Sequence, residues 1–287
     1  MPCITPYIAT NKPQYSGAYH IPVRCGTCPD CLAHRRREWL FRLEIELNRA
    51  TSAYFVTYTY DEEHVPEDKD TGYYILHYPD MQKYWKRVRK AQPDANIKHI
   101  TVGEYGTIGK RPHYHSIVLN ADEDILYDKW TAGMRQIDTC ETKSMMYVLK
   151  YTDKQLDPYH NIKKTHWDLT VPKPFRRMSQ NLGESFVLNT DGSLNKMGRK
   201  ILKQEVYTVC LDDGTKMPLP RYYVKLVHGD TRKYKPPQRT KNVQKQFIKQ
   251  ELRYYQGAEI YEEALQRGKA RFARHNHKVK SKPRKEL

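Results

Sequence analysis

The sequence lacks the long apolar run that a membrane-spanning helix needs. No stretch of the 287 residues approaches the roughly 20 apolar residues of such a helix, and the start, MPCITPYIATNK, lacks the apolar segment of a signal peptide. We therefore expect a soluble, intracellular protein. Internal repeats of domain size are also missing, so the chain should form one sizeable core with a smaller appendage, or two modest domains.

Acidic residues are scarce relative to basic ones. The 33 Asp and Glu face 50 Lys and Arg, which gives a formal net charge of +17 and a pI near 9.5. Such a surplus favours a polyanionic partner, and nucleic acid is the leading candidate. The 23 tyrosines offer aromatic faces on which unpaired bases can stack, although most tyrosines in any protein simply pack.

Three of the six cysteines lie close together in CGTCPDC, at Cys25, Cys28 and Cys31. Overlapping Cys-x-x-Cys units suit a metal better than a disulfide framework in a reducing compartment. Tetrahedral zinc needs a fourth ligand, for which Cys3 is favoured over His34. The alternative is a tight turn with reduced thiols and no metal.

Apolar spacing and turn residues predict an α+β arrangement in the first half of the chain. A polar loop over 61–72 separates the first strand from the second helix. The predicted helices cover 32–50, 79–91, 123–130 and 143–154, and the predicted strands cover 53–60, 97–105, the residues around His113 and His115, and 135–140.

The composition changes beyond about residue 160. Residues 170–183 read as a loop, 205–227 as a hairpin about Asp213 and Gly214, and a charged helix should begin near residue 244. The last 21 residues are strongly basic. We therefore divide the chain into domain 1–160 and a mixed, helix-rich basic region, 161–287.

Two histidines stand one residue apart in GKRPHYHSIVLN. Successive side chains of a strand point to opposite faces, so His113 and His115 share a face and could chelate one cation. Two unrelated surface histidines fit the spacing equally well, and His275 and His277 repeat it in the basic tail. Spacing alone does not decide between these interpretations.

A pair of tyrosines lies on the last predicted helix of the first half, in YVLKYTDK. Tyr147 and Tyr151 are four residues apart and share a face, while Lys150 and Lys154 form a neighbouring stripe. A phenol is a poor nucleophile near neutral pH because its pKa is about 10, so it needs a nearby cation or base. A divalent ion on a phosphate, or a lysine beside the phenol, would supply that help.

Together, GEYGTIGKRPHYH, YVLKYTDK, FVTYTY and CGTCPDC resemble the replication initiators of gokushovirus-type microviruses, within the HUH endonuclease superfamily. PFRRMS and LPRYY extend the resemblance over most of the chain. It implies an HUH endonuclease fold, in which helices pack on a central antiparallel sheet and the metal site lies on the open sheet face opposite the tyrosine helix. Tyr114, between the histidines, departs from the bulky apolar residue usual there.

The resemblance also assigns site residues. Glu104 would join His113 and His115 in holding Mg²⁺ or Mn²⁺, and Tyr147 and Tyr151 would be the paired catalytic tyrosines with Lys150 as the motif lysine. One tyrosine would attack the viral origin, become linked to the 5′ phosphate and leave a 3′ hydroxyl, and the strand would later be rejoined into a circle. Expected partners are origin DNA, single-stranded at the nick, and host replication machinery including a helicase and a polymerase, in the cytoplasm of a bacterial host.

Two other interpretations remain open. A two-tyrosine HUH transposase or relaxase would share the chemistry but act on another element. A non-enzymatic, zinc-dependent nucleic-acid-binding protein would use the histidines structurally and the tyrosines for packing or stacking. Covalent capture of DNA separates the enzymes from the binding protein.

Overall fold

The computed structural model describes residues 7–10, 20–23, 25–106, 109–151 and 170–229. The chain divides into two compact units, one formed by residues 36–229 and the other by 1–35 with 230–287. The predicted boundary near residue 160, the predicted helix from 244 and the basic tail lie outside the described residues. Within the described part, no helix is long and apolar enough to cross a bilayer.

In the terminal unit, strands β1 (Tyr7–Thr10) and β2 (His20–Val23) pair antiparallel. Helix α1 (Pro29–Leu47) follows them along the chain. It covers most of the helix predicted from apolar spacing. The two short strands were not predicted, because four-residue elements carry too little periodicity to be distinguished from a loop.

A five-stranded antiparallel sheet forms the centre of the unit made by residues 36–229. Its strands are arranged in the order β6-β3-β5-β4-β7, with bounds β3 Ala53–Tyr60, β4 Lys98–Tyr105, β5 Pro112–Leu119, β6 Gly133–Thr139 and β7 Phe175–Met178. The helices of the same half of the chain are α2 Tyr78–Ala91, α3 Glu123–Asp128 and α4 Thr142–Tyr151. This confirms the predicted α+β class and is compatible with an HUH-type fold.

The loop predicted over residues 170–183 is wrong in part, because β7 lies within it and pairs with β4. Its sequence, FRRM, carries two arginines and follows Pro172 and Pro174, so neither composition nor alternation indicated a strand. The strand forms because β4 offers an open edge of backbone donors and acceptors to pair with.

The hairpin about Asp213 and Gly214 is confirmed as β8 (Thr208–Cys210) with β9 (Lys216–Pro218). Gly214 has a φ of 79° at the turn, a backbone region that glycine adopts without strain. The hairpin is shorter than predicted, since residues 221–228 form a helix after Pro220. Two short helices thus complete the described part, α5 Lys196–Leu202 and α6 Arg221–His228.

One face of the sheet is buried by aromatic packing. Tyr58 and Tyr114 are fully buried there against α2 and the loop that follows α3. The Tyr58 hydroxyl donates to the Tyr84 hydroxyl at 2.9 Å, and the Tyr114 hydroxyl lies 3.1 Å from that of Tyr60 and accepts from His77 N at 3.0 Å. Four of the 23 tyrosines are therefore core residues whose hydroxyls are satisfied internally, namely Tyr58, Tyr60, Tyr84 and Tyr114.

The other face of the sheet carries a buried ion pair at one end. Lys98 Nζ of β4 lies 2.8 Å from Glu46 Oε1 of α1, and both residues are buried. The same carboxylate oxygen accepts a hydrogen bond from Gly183 N at 2.6 Å. Glu46 thus ties α1 to the sheet and to the chain that follows β7.

Glu46→Ala should destabilise the fold strongly, because it removes the acceptor of the buried Gly183 amide and leaves the Lys98 ammonium with the Asn181 carbonyl oxygen, at 3.5 Å, in place of a carboxylate. We expect a loss of about 3–5 kcal/mol in the free energy of unfolding, measured by urea titration. The double variant Glu46→Met/Lys98→Met removes both charges and should recover most of that loss. Equal losses in the single and double variants would contradict a role for the charge pair.

Candidate active site

The register of β4 and β5 brings Glu104, His113 and His115 together. Glu104 stands directly opposite His113, and Val102 stands opposite His115, so all four side chains share one sheet face. Glu104 Oε1 lies 3.0 Å from His115 Nε2 and 3.4 Å from His113 Nε2. Because these nitrogen and oxygen atoms lie within 4.8 Å of one another, one cation can contact all three.

His115 is held in place by residues of β3 that sequence reasoning missed. Thr57 is the cross-strand neighbour of His115, and its Oγ1 lies 3.0 Å from His115 Nδ1. The Phe55 ring stacks on the imidazole with 5.7 Å between centroids and 6° between planes. Fixing Nδ1 in this way aims Nε2 at Glu104 and defines the orientation of a metal ligand.

Helix α4 lies over the same face and brings Tyr147 to the histidines. Met145, Val148 and Leu149 are buried at helical spacing and anchor the helix. The Tyr147 ring meets His115 edge-on, with centroids 5.4 Å apart and planes at 87°. Tyr147 nevertheless keeps 40% of its surface exposed, so its phenol is accessible from solvent.

The structure describes the two other predicted residues of α4, Lys150 and Tyr151, in less detail than Tyr147. Lys150 is exposed one turn after Tyr147 on the helix. Tyr151 is the last residue of α4, and its side chain lies outside the described residues. The arrangement thus joins one of the two predicted tyrosines to the predicted metal ligands.

A third histidine, His99 of β4, has a structural role. It is buried on the opposite face, where its ring stacks on Trp85 with centroids 4.0 Å apart. Burial, assisted by the charge of Arg89, lowers the pKa of His99 to about 3. His99 is therefore uncharged at neutral pH and packs as an aromatic side chain, away from the three clustered residues.

The three cysteines of CGTCPDC converge within the terminal unit. Their sulfur atoms lie within 4.8 Å of one another, and Cys25 Sγ is 4.0 Å from Cys31 Sγ. Cys28 N donates to Cys25 Sγ at 3.2 Å, and Thr27 N donates to it at 3.5 Å. Cys3 lies outside the described residues, while the alternative fourth ligand, His34, lies one turn after Cys31 on α1.

The chain is similar in sequence to proteins named replication-associated proteins of phages. Residues 53–156 match the family model described as replication-associated protein ORF2/G2P. The chain is 28% identical to replication-associated protein ORF2 of Spiroplasma virus 4 over 70% of its length, and 24% identical to replication-associated protein VP4 of Bdellovibrio phage phiMH2K over 69%. It is also 24% identical to replication-associated protein ORF4 of Chlamydia phage 1, over 48% of its length and 39% of that protein.

The chain spans just under two thirds of the first two relatives, 66% and 65% of their lengths. No solved structure matches it. The segment that matches the family model contains Glu104, His113, His115, Tyr147 and Tyr151. These matches confirm the resemblance read from the motifs, since the chain is similar to the replication-associated proteins of microvirus-like phages.

Proposed function

We propose that this protein initiates phage DNA replication by nicking the origin through tyrosine transesterification. The observation that carries the proposal is the contact between the accessible Tyr147 ring and His115, within a cluster of two imidazoles and one carboxylate. A nucleophile beside a cation site is the arrangement that phosphoryl transfer to a phenol requires. Relatives named replication-associated proteins support a role in starting replication.

The three clustered residues fit a divalent cation. Nitrogen and oxygen ligands together suit Mn²⁺ well and admit Mg²⁺, whereas the absence of sulfur from the three residues disfavours softer ions. Glu104 Oε1 already faces both Nε2 atoms, so the donors converge without rearrangement of the strands. When bound, the ion would withdraw negative charge from the non-bridging oxygens of the scissile phosphate.

Residues of the chain would then carry out the transesterification. The Tyr147 phenol loses its proton and its oxygen attacks phosphorus. A bond forms between that oxygen and the 5′ phosphate, the bond to the 3′ oxygen breaks, and the 3′ hydroxyl leaves with a proton. Lys150, exposed on the same helix, would favour the phenolate or neutralise charge on the pentavalent phosphorus. One ester replaces another, so no high-energy cofactor is consumed.

The proposed substrate is origin DNA that is single-stranded at the nick. The net charge of +17 would supply phosphate contacts, and the freed 3′ hydroxyl would be extended by a host polymerase behind a host helicase. The reaction would take place in the cytoplasm of the infected bacterium. The strand would be closed into a circle when a newly freed 3′ hydroxyl attacks the phosphotyrosine.

Covalent capture of DNA tests the proposed function. Single-stranded oligonucleotides tiled across the phage genome and labelled at the 3′ end are incubated with the full chain and Mn²⁺, then run on a denaturing gel. We expect a labelled protein–DNA adduct with one group of overlapping oligonucleotides, and none in EDTA. A DNA-binding protein without nicking activity would give no adduct with any of them.

The same experiment distinguishes a replication initiator from a transposase or a relaxase. A transposase or relaxase would form the adduct with the ends or transfer origin of a mobile element rather than with the phage's own replication origin. The comparisons favour the replication initiator, because all three relatives given above are named replication-associated proteins of phages.

We further propose that Cys25, Cys28 and Cys31 bind a structural zinc ion, with Cys3 as the fourth ligand. Two backbone amides already donate to Cys25 Sγ, which favours the thiolate form that zinc binds. Zinc held by four protein ligands has a structural role, since no coordination position remains for substrate.

Purified protein should carry about one zinc ion per chain that survives mild EDTA treatment, measured by elemental analysis, because closed thiolate sites bind zinc tightly. Cys28→Ser should lose the ion and lower the melting temperature. Cys210→Ser is the matched control, as Cys210 is exposed and stands outside the cluster. Protein purified intact but free of zinc would contradict the site.

A further inference from the structure

The edge strand β7 places an arginine in line with the proposed metal site. Thr57, His115, Val102 and Arg176 are successive cross-strand neighbours on β3, β5, β4 and β7. Directly opposed residues share a sheet face, so Arg176 projects on the same side as His115. Two strand spacings separate the backbones of Arg176 and His115 by about 10 Å.

Arg176 belongs to a ladder of alternating cations and aromatic rings. Its guanidinium lies 4.5 Å from the centre of the Trp39 ring, which also has the Arg42 guanidinium at 4.1 Å. Arg42 in turn lies 3.7 Å over the Tyr222 ring, and its Nε donates to Leu182 O at 2.8 Å. A guanidinium held against an indole keeps its positive charge and its N–H donors, both of which attract an anion.

The two edges of the sheet differ in charge on this face. The corresponding β6 residues, Met134, Gln136 and Asp138, include an acidic side chain and no basic one. On β7 the residue in line with His115 is Arg176. A phosphate group is therefore favoured near the β7 edge and disfavoured near the β6 edge.

We propose that Arg176, supported by the Trp39 ring, binds a backbone phosphate of the single strand close to the phosphate that is cleaved. A guanidinium matches the geometry of two phosphate oxygens, and an aromatic ring behind it restricts its orientation. This inference rests on the proposed function for the nature of the neighbouring site. Arg176 is a positioning residue in this scheme.

The chain supplies a matched control in the adjacent arginine. Arg177 is exposed on the same strand but stands opposite Thr101 and lies over Tyr78, so it projects from the other face of the sheet. Arg176→Ala and Arg177→Ala therefore remove the same charge from neighbouring positions on opposite faces. Circular dichroism and melting temperature establish that each variant is folded, and Arg176→Lys provides a milder change.

Binding is measured in EDTA by fluorescence anisotropy over a range of salt concentrations, with whichever of the tiled oligonucleotides binds the wild-type protein most tightly. Arg176→Ala should weaken binding about tenfold and reduce the slope of log K against log salt by about 0.7, the value for one phosphate contact on a single strand. Arg176→Lys should fall between wild type and Arg176→Ala, and Arg177→Ala should remain within about twofold of wild type, since rim charges contribute little.

A neutral methylphosphonate, moved one linkage at a time along the oligonucleotide, then locates the contact. At one linkage near the nick it should weaken binding to wild type but have no further effect on Arg176→Ala. Equal binding by the two alanine variants, or the absence of such a linkage, would overturn the contact. Binding in EDTA does not require cleavage. If the contact were found but no adduct ever formed, the nicking activity would be refuted and the Arg176 contact would stand.

Discussion

The double variant Tyr147→Phe/Tyr151→Phe should form no covalent adduct with origin DNA, whereas each single variant should retain some nicking. Phenylalanine keeps the ring that packs against His115 and Phe55 and removes only the hydroxyl. The two positions are one helical turn apart, about 6 Å along the axis at roughly 1.5 Å per residue. A phenol at either position would therefore reach the same phosphate with little rearrangement.

Under the proposed function, the second tyrosine would make a further cut while the first link persists. Under that function a second phenol would cleave the regenerated origin after one round of synthesis, and the 3′ hydroxyl of the DNA freed by this cut would resolve the first link and close a circle. Each single variant should therefore fail at repeated release of circular strands, assayed on a circular template with a polymerase and a helicase. Tyr127→Phe is the control, as an exposed tyrosine on α3. Wild-type release of circles by one single variant over many rounds would disprove alternation.

His113→Ala and His115→Ala should abolish divalent-dependent nicking while leaving DNA affinity largely intact. Removal of one of three ligands should lower the single-turnover rate by more than about 100-fold, the upper range seen when only an outer partner of a metal ligand is lost. Affinity should change little because it comes from many lysines and arginines. The rate is measured over a Mn²⁺ titration, and binding by anisotropy.

His64→Ala, a substitution on the protein surface, is the control for the two histidine variants. His64 is exposed and pairs with Asp61 in the loop after β3, so His64→Ala should leave both rate and affinity unchanged. His115→Ala should also disturb Tyr147, which packs on the imidazole, and is expected to be the more severe variant. Loss of binding in parallel with loss of nicking would argue against a metal-site role for either histidine.

The central strands and the long helices could be predicted from the sequence because their signal is local. Alternation marks β3, and apolar spacing with Pro79 marks α2. The alignment of strands is set by contacts between distant segments, so the roles of Thr57 and Phe55 could not be predicted. The strand β7 was missed for the same reason, as its pairing partner, rather than its composition, makes it a strand.

Tyr114, which stands between the two histidines, favours the strand alignment that places them. Sliding β5 by one position against its neighbours would turn both imidazoles into the aromatic core and Tyr114 out to solvent. Such a slip would break the bonds of the Tyr114 hydroxyl to Tyr60 and to the His77 backbone, and would bury polar rings without partners. Burial of Tyr114 therefore favours one alignment of β5 over its neighbours, and that same alignment places His113 and His115 beside Glu104.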